Sequence, residues 1–179
     1  MITEENIRNQ ALLDIATKMV IAARTAPKAR GKDLLTAAIV QADEIKLISD
    51  RMLEIAKNIE HPGFLRDGQN ILAAPVMVLL GSQLESMKLK KCGMCGFPDC
   101  QEKDKHPLIP CAFNAGDLGI AVGSAVRVAM DHCVDNRIMY TVGQAVMDLG
   151  MFGPDIKLCY AIPLSATGKN PFFDRPIHK

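Results

Sequence analysis

A chain of 179 residues with 49% apolar and 23% charged side chains has ordinary globular composition, which excludes intrinsic disorder, collagen-like repeats and low-complexity scaffolds. A chain of this length buries about 70% of the surface its unfolded form exposes, so a single domain over 1–179 needs neither disulfide nor metal merely to fold. Basic residues total 21 against 20 acidic ones, aromatics are 4% and Trp is absent, which leaves neither a basic field nor a stacking surface for nucleic acid.

The longest apolar run, Ile71 to Leu80, contains Pro75 and falls far short of the roughly 20 residues of a membrane span. Met1 to Gln10 carries Glu4 and Glu5 and no apolar signal core. The expectation is a cytoplasmic protein without a membrane partner, in a reducing compartment where clustered cysteines favour metal over disulfide.

In chain order, Ile7, Ala11, Ile15, Met19 and Ala22 recur at helical spacing between Glu4 and Arg24, and Pro27 stops that helix. Leu34 to Val40 suits a buried strand. Asp43 can cap a second helix with Ile45, Ile48, Met52, Ile55 and Ile59 inward, ending at His61-Pro62-Gly63. Residues 64–74 predict a short helix leading into a strand from Pro75 to Leu80. Periodicity is lost after Gly81, so 81–116 reads as a cysteine-rich metal-binding loop insertion. A long helix resumes at Asp117, with Leu118, Ala121, Val122, Ala125 and Ala129 on one face, and with Gly119, Gly123 and Ser124 small enough to admit a neighbouring backbone. It reads as central and buried. A helix over 136–149, with Ile138, Met139, Val142, Val146 and Leu149 inward, precedes a strand from Ile156 to Ile162. The tail from Ser165 to Lys179 reads as an arm over another surface. Interleaved helices and strands predict an α+β fold, a mixed sheet flanked by helices.

Four cysteines stand close together: Cys92, Cys95, Cys100 and Cys111. The Cys92-x2-Cys95 knuckle lets two thiolates converge, and Gly93 and Gly96 permit positive φ and exposed N–H donors. Four thiolates suit either tetrahedral zinc or a 4Fe-4S cluster. A zinc ribbon pairs two such knuckles. Here only one is present, and the wider spacing to Cys100 and Cys111 suits the corners of a larger cluster. His106, inside the last interval, could substitute as a ligand, but four thiolates already close a site, whereas Cys133 and Cys159 read as buried small hydrophobes.

A second feature is basic. Arg24, Lys28, Arg30 and Lys32 flank Pro27 and Gly31 with no acid before Asp33, an arrangement able to hold a phosphate or carboxylate or simply to favour the C-terminus of the first helix. Asp117 and Asp135-Asn136-Arg137 read as helix caps, and Gly168-Lys169-Asn170 as a weak anion loop.

The motifs ARTAPKARGKD (23–33), CGMCGFPDC (92–100), DLGIAVGSA (117–125), DNRIMYTVGQA (135–145) and IPLSATGKNPFFDR (162–175) resemble a family of uncharacterised prokaryotic proteins that contain a ferredoxin domain. A more distant resemblance, in the order of elements, is to the FMN-dependent nitroreductases. That likeness implies a nitroreductase-like sheet between helices and a homodimer built around the helix that follows the insertion; if a phosphate-bearing cofactor such as FMN binds, Arg24, Lys28 and Arg30, the densest cations beside a glycine- and proline-shaped loop, are the residues for its phosphate. Lys28 departs from the small hydroxyl residue those enzymes place after Ala-Pro.

Two functions follow. One is a redox protein, an oxidoreductase or electron carrier, whose cluster passes electrons between unnamed donors and acceptors and a site near the basic loop. The alternative is a non-enzymatic module, stabilised by zinc or a cluster and acting in assembly or sensing. No Ser-His-Asp, HExxH or paired-carboxylate pattern competes.

Overall fold

Alternation along two central strands sets the layers. In β2 (Val76–Gln83) the side chains of Val76, Val78 and Leu80 join one core while Met77 and Leu79 join another, the period-two alternation of a strand. β4 (Ile156–Ser165) does the same, with Ile162 and Leu164 on the first side and Cys159 and Ala161 on the second. Both strands need covering on both faces. The structure is a computed structural model that describes residues 1–174, and helices supply both covers. α1 (Glu4–Thr25) and α5 (Ala112–Asp131) lie over the first face. α2 (Ala42–Ile59), α3 (Pro62–Asn70) and α6 (Tyr140–Asp148) lie over the second.

β1 (Leu35–Gln41) and the two-residue β3 (Asp135–Asn136) complete a four-stranded sheet of order β1-β2-β4-β3. The α+β architecture is the expected one, but the sheet is antiparallel at every pairing between its named strands rather than mixed. The cause lies in the connections. Gln41 ends β1 opposite Val76, which begins β2, because α2 leads the chain away from that end of the sheet and α3 leads it back. A single crossover helix would have delivered a parallel strand.

The buried stripe of α1 runs through Leu12, Ala16, Met19 and Ala23, one residue round from the expected row; Ile7 is 50% exposed. Both rows are apolar at the same spacing. The small side chains of the buried one let α1 lie close against Ala121, Ala125 and Ala129 of α5. α5 itself is half-buried, with Gly116, Gly119, Ile120, Gly123 and Met130 on its open side. The helix expected from Asn136 begins only at Tyr140, since Asp135 and Asn136 pair with β4 as strand. Ile138 and Ile59, expected inward, are exposed.

The described part of the tail covers its own domain rather than another surface. Phe172 is fully buried in the second core, and its carbonyl accepts from Arg137 Nη1 at 2.8 Å and Asn70 Nδ2 at 3.2 Å. Asp67, itself buried, holds Arg137 at 3.3 Å and accepts from the Thr141 hydroxyl at 2.7 Å. Residues 175–179 of the expected arm, with Arg175 of the last motif, lie outside the described residues. Among the described residues no helix is long and apolar enough to cross a membrane.

Candidate metal centre

β2 runs through Gln83 and α5 starts at Ala112, so the irregular segment between them is shorter at both ends than the 81–116 read from the sequence. Its cysteines are placed by three local devices. Around the knuckle, Gly93 and Gly96 have φ of 110° and 87°, the region L side chains avoid, and Gly96 N–H donates to the Gly93 carbonyl at 3.0 Å. Cys100 opens α4 (Cys100–Asp104), where the Asp99 carboxylate accepts from Glu102 N–H at 2.8 Å. Cys111, 4% exposed, is the N-cap residue of α5. Its N–H donates to Asn114 Oδ1 at 3.1 Å, and the same amide side chain binds the backbone of Glu85 through both its oxygen (3.2 Å) and its nitrogen (3.0 Å).

These devices bring Cys92, Cys95, Cys100 and Cys111 to the wall of one small cavity, which Ser86, Met87 and Lys103 also line. All four cysteines line this space; among the described residues no group of three or more His, Cys, Asp or Glu side chains is placed to hold a metal ion. His106 is outside the ring, stacked on Phe97 with centroids 5.0 Å apart. The remaining cysteines separate. Cys159 is buried as expected, and burial alone pushes its thiol up to about 12, so it stays protonated at neutral pH. Cys133, expected in the core, is exposed, because it follows the last turn of α5 in a left-handed conformation with φ 56°.

The basic loop divides. Lys28 Nζ donates to the carbonyls of Arg24 at 2.6 Å and Ala26 at 2.8 Å, closing the end of α1. Arg24 pairs with Asp33 and donates to the Leu35 carbonyl at 3.0 Å. Burial works to raise the Asp33 carboxyl, yet the Arg24 guanidinium and the Leu35 amide outweigh it and hold the group low. Arg30, at φ 57°, reaches across to the Met87 carbonyl at 2.8 Å. With Lys32, Ser86, Met87 and Lys88 it lines a second pocket. Lys32 pairs with Glu85 and Lys88 with Asp104. Asp117 is no cap. It accepts from the Ala29 N–H at 3.0 Å and so ties the basic loop to α5. The Lys169 ammonium pairs with Asp174.

Sequence reasoning missed three residues here. Asn114 left a faint signal, an amide three residues after a prospective N-cap. Ser86 and Lys103 left none, since only the folded chain places them on the cavity wall.

The donor set fits an iron–sulfur group: four soft sulfur ligands. A further sign is the Ser86 hydroxyl, buried without a hydrogen-bond partner, an orphan that metal-bound sulfur would satisfy. The neighbouring Asp104, whose carboxyl is held low chiefly by the hydrogen bond from Lys88, makes no hydrogen bond to this hydroxyl.

The layers and their order define a nitroreductase-like α+β protein. Over 86% of this chain and 73% of its own length, a nitroreductase family protein from Clostridium novyi NT superposes with TM-score 0.59 at 17% identity. A nitroreductase with bound FMN from Desulfitobacterium hafniense DCB-2 does so with TM-score 0.61 at 13% identity, covering 87% of this chain and 78% of that one. Residues 109–175 match the family described as "Uncharacterized protein containing a ferredoxin domain (DUF2148)". An uncharacterized protein of Archaeoglobus fulgidus is 36% identical over 182 residues, 98% of this chain and 97% of that one. The chain belongs to this family of uncharacterized proteins containing a ferredoxin domain.

Proposed function

We propose that this protein is an iron–sulfur redox protein in which Cys92, Cys95, Cys100 and Cys111 hold a 4Fe-4S cluster. The observation that carries the reading is that one knuckle, one helix start and one helix cap, all between residues 92 and 111, put four cysteines on the wall of a single cavity. One knuckle followed by two more widely spaced thiols suits a group with several metal corners better than one zinc, whose four sulfurs all lie ~2.3 Å from a point. Such a cluster supplies one-electron chemistry when bound. The chain fixes the thiols, hides Cys111 from solvent and offers the Ser86 hydroxyl to sulfur.

The pocket of Arg30, Lys32 and Lys88 shares Ser86 and Met87 with the cavity wall. A phosphate-bearing cofactor such as FMN, seated there, stands next to the cluster, and the protein is then an oxidoreductase rather than a carrier alone. Arg24 and Lys28, already engaged with Asp33 and with carbonyls, shape the loop that presents Arg30. The open side of α5, where Gly116, Gly119 and Gly123 have room for a side chain and Ile120 and Met130 are exposed, is the surface of a homodimer.

One preparation tests these points. Protein made and kept without oxygen is expected to be brown, with iron and sulfide in near-equal amounts and with flavin that Arg30→Gln releases. Colourless protein with one zinc would establish the non-redox module instead. Sedimentation of the same material at micromolar concentration is expected to show a dimer that Ile120→Glu converts to monomer; a wild-type monomer removes the dimer.

A further inference from the structure

Three contacts fasten the basic loop to the surroundings of the cysteine cavity. Arg30 Nη1 donates to the Met87 carbonyl at 2.8 Å, Lys32 pairs with Glu85, and the Ala29 N–H donates at 3.0 Å to Asp117 of α5, the helix that Cys111 caps. Ser86 and Met87 line both the cysteine cavity and the pocket of Arg30, Lys32 and Lys88. Lys88 belongs to both neighbourhoods as well, since its ammonium, held protonated chiefly by Asp104, also feels Cys100. The charges of this pocket do not cancel. Glu85 answers Lys32 and Asp104 answers Lys88, whereas among the described residues no carboxylate pairs with Arg30, whose partner is a neutral carbonyl. A positive charge is left for an anion, and a guanidinium has further N–H donors to offer it.

Resting on the cluster reading above and deepening that of the phosphate pocket, we infer that the basic pocket is a redox-linked phosphate site: Arg30 and Lys88 hold a phosphate group tightly while the cysteine centre is oxidised and loosely once it is reduced. Each electron taken up makes the centre more negative and leaves the cations of the pocket unchanged. What the two spaces share is wall rather than solvent, and protein screens charge less than bulk water does. The added charge therefore repels the phosphate through Ser86 and Met87. Linkage makes the effect reciprocal, so a phosphate in the pocket lowers the reduction potential of the centre by the same free energy. Net charge in the surroundings is one of the levers that set such a potential, and here a ligand rather than a side chain supplies it. Arg30 joins the two sites directly, because the guanidinium that faces the anion also holds the Met87 carbonyl on the shared wall.

The test uses the anaerobically loaded full chain, inorganic phosphate as probe and chloride at matched ionic strength as reference, with dithionite giving up one electron per cluster reduced. Equilibrium dialysis of labelled phosphate against the oxidised and the reduced protein is expected to show affinity about fivefold weaker after reduction. A redox titration followed by the electron paramagnetic resonance signal of the reduced form is expected to move to the negative at saturating phosphate by the matching amount, ~59 mV for each factor of ten in a one-electron couple. Arg30→Gln is expected to abolish phosphate binding and the shift together while iron and sulfide stay at the wild-type level, and Arg30→Lys to retain part of both. FMN in place of inorganic phosphate on the oxidised protein reads the source: tighter binding of FMN puts the phosphate on a cofactor, and binding of inorganic phosphate alone makes it a free ion. Equal phosphate affinity in the two redox states, an unmoved potential, or no phosphate or FMN bound by oxidised wild type overturns the inference. Wild-type protein free of iron and sulfide overturns the cluster reading itself, and the two failures are thus distinct.

Discussion

Single replacement of Cys92, Cys95, Cys100 or Cys111 by Ala is expected to strip at least nine-tenths of the iron from anaerobically prepared protein and to leave the fold standing. Both halves of this expectation come from where the cavity lies. Its cysteines are absent from the two hydrophobic cores that flank the sheet, so the domain has no need of the centre in order to fold. The centre, in contrast, depends on every thiol, because each supplies one corner ligand of the proposed cluster. Among the four, Cys111→Ala is expected to reach furthest, since Cys111 is buried and shares Asn114 with the backbone of Glu85. Asn114→Ala, which leaves all four thiols in place, is expected to weaken iron retention by freeing that link. Cys133→Ala and Cys159→Ala are the controls. The first removes an exposed thiol; the second removes a buried one that stays protonated, at a cost on the order of 1 kcal/mol, and neither alters the iron content. Iron lost with Cys133→Ala but kept with Cys111→Ala overturns the ligand set.

That Cys92, Cys95, Cys100 and Cys111 belong together was legible in the sequence because cysteine spacing is a local signal that survives without knowledge of the fold. The layers were legible for a similar reason. Helical and strand periods differ, and the runs 34–40, 75–80 and 156–162 are short, apolar and without helical spacing. What stayed hidden depends on partners distant in sequence. The face of α1 could not be chosen because Ile7-Ala11-Ile15 and Leu12-Ala16-Ala23 are equally apolar, and only the alanines of α5 decide between them. β3 is two residues long and exists through its pairing with Leu164 and Ser165. Lys103 sits in a run of charges, QEKDK, and nothing in that pattern says that one of its lysines is a buried residue. In the basic loop the sequence displays the cations but not their use. Arg24 and Lys28 are spent on Asp33 and on the end of α1, and Arg30 is carried to the pocket by a left-handed turn that an arginine seldom adopts.

Gly143→Ala is expected to be among the most destabilising changes available to this chain, although it adds one methyl group and raises helix propensity. A Cβ at this position stands 2.5 Å from the carbonyl carbon of Cys159 and closer still to its oxygen. Both atoms are backbone of β4, a strand buried on both faces and paired with β2 along its length, so the neighbour cannot swing aside as a flexible side chain would. The helix must lift instead. α6 is held to the sheet by Val142, Ala145 and Val146, all fully buried, and by the reciprocal bonds of Met139 and Ala161, 2.9 and 3.1 Å long. Moving it opens gaps across the second core and strains the Asp67–Thr141 contact at its first turn. Overpacking of this kind costs typically 1–3 kcal/mol, and a clash with fixed backbone lies at or beyond the upper end, so a loss of about 3 kcal/mol is expected. Urea unfolding followed by circular dichroism reads it as a lower midpoint at unchanged slope. Gly119→Ala, with no heavy atom near its new methyl, supplies the contrast. In the monomeric Ile120→Glu background it is expected to stabilise by roughly 0.5–1 kcal/mol, the ordinary gain of alanine over glycine inside a helix. Equal midpoints for Gly143→Ala and wild type would show that α6 does not lie on β4 at this distance.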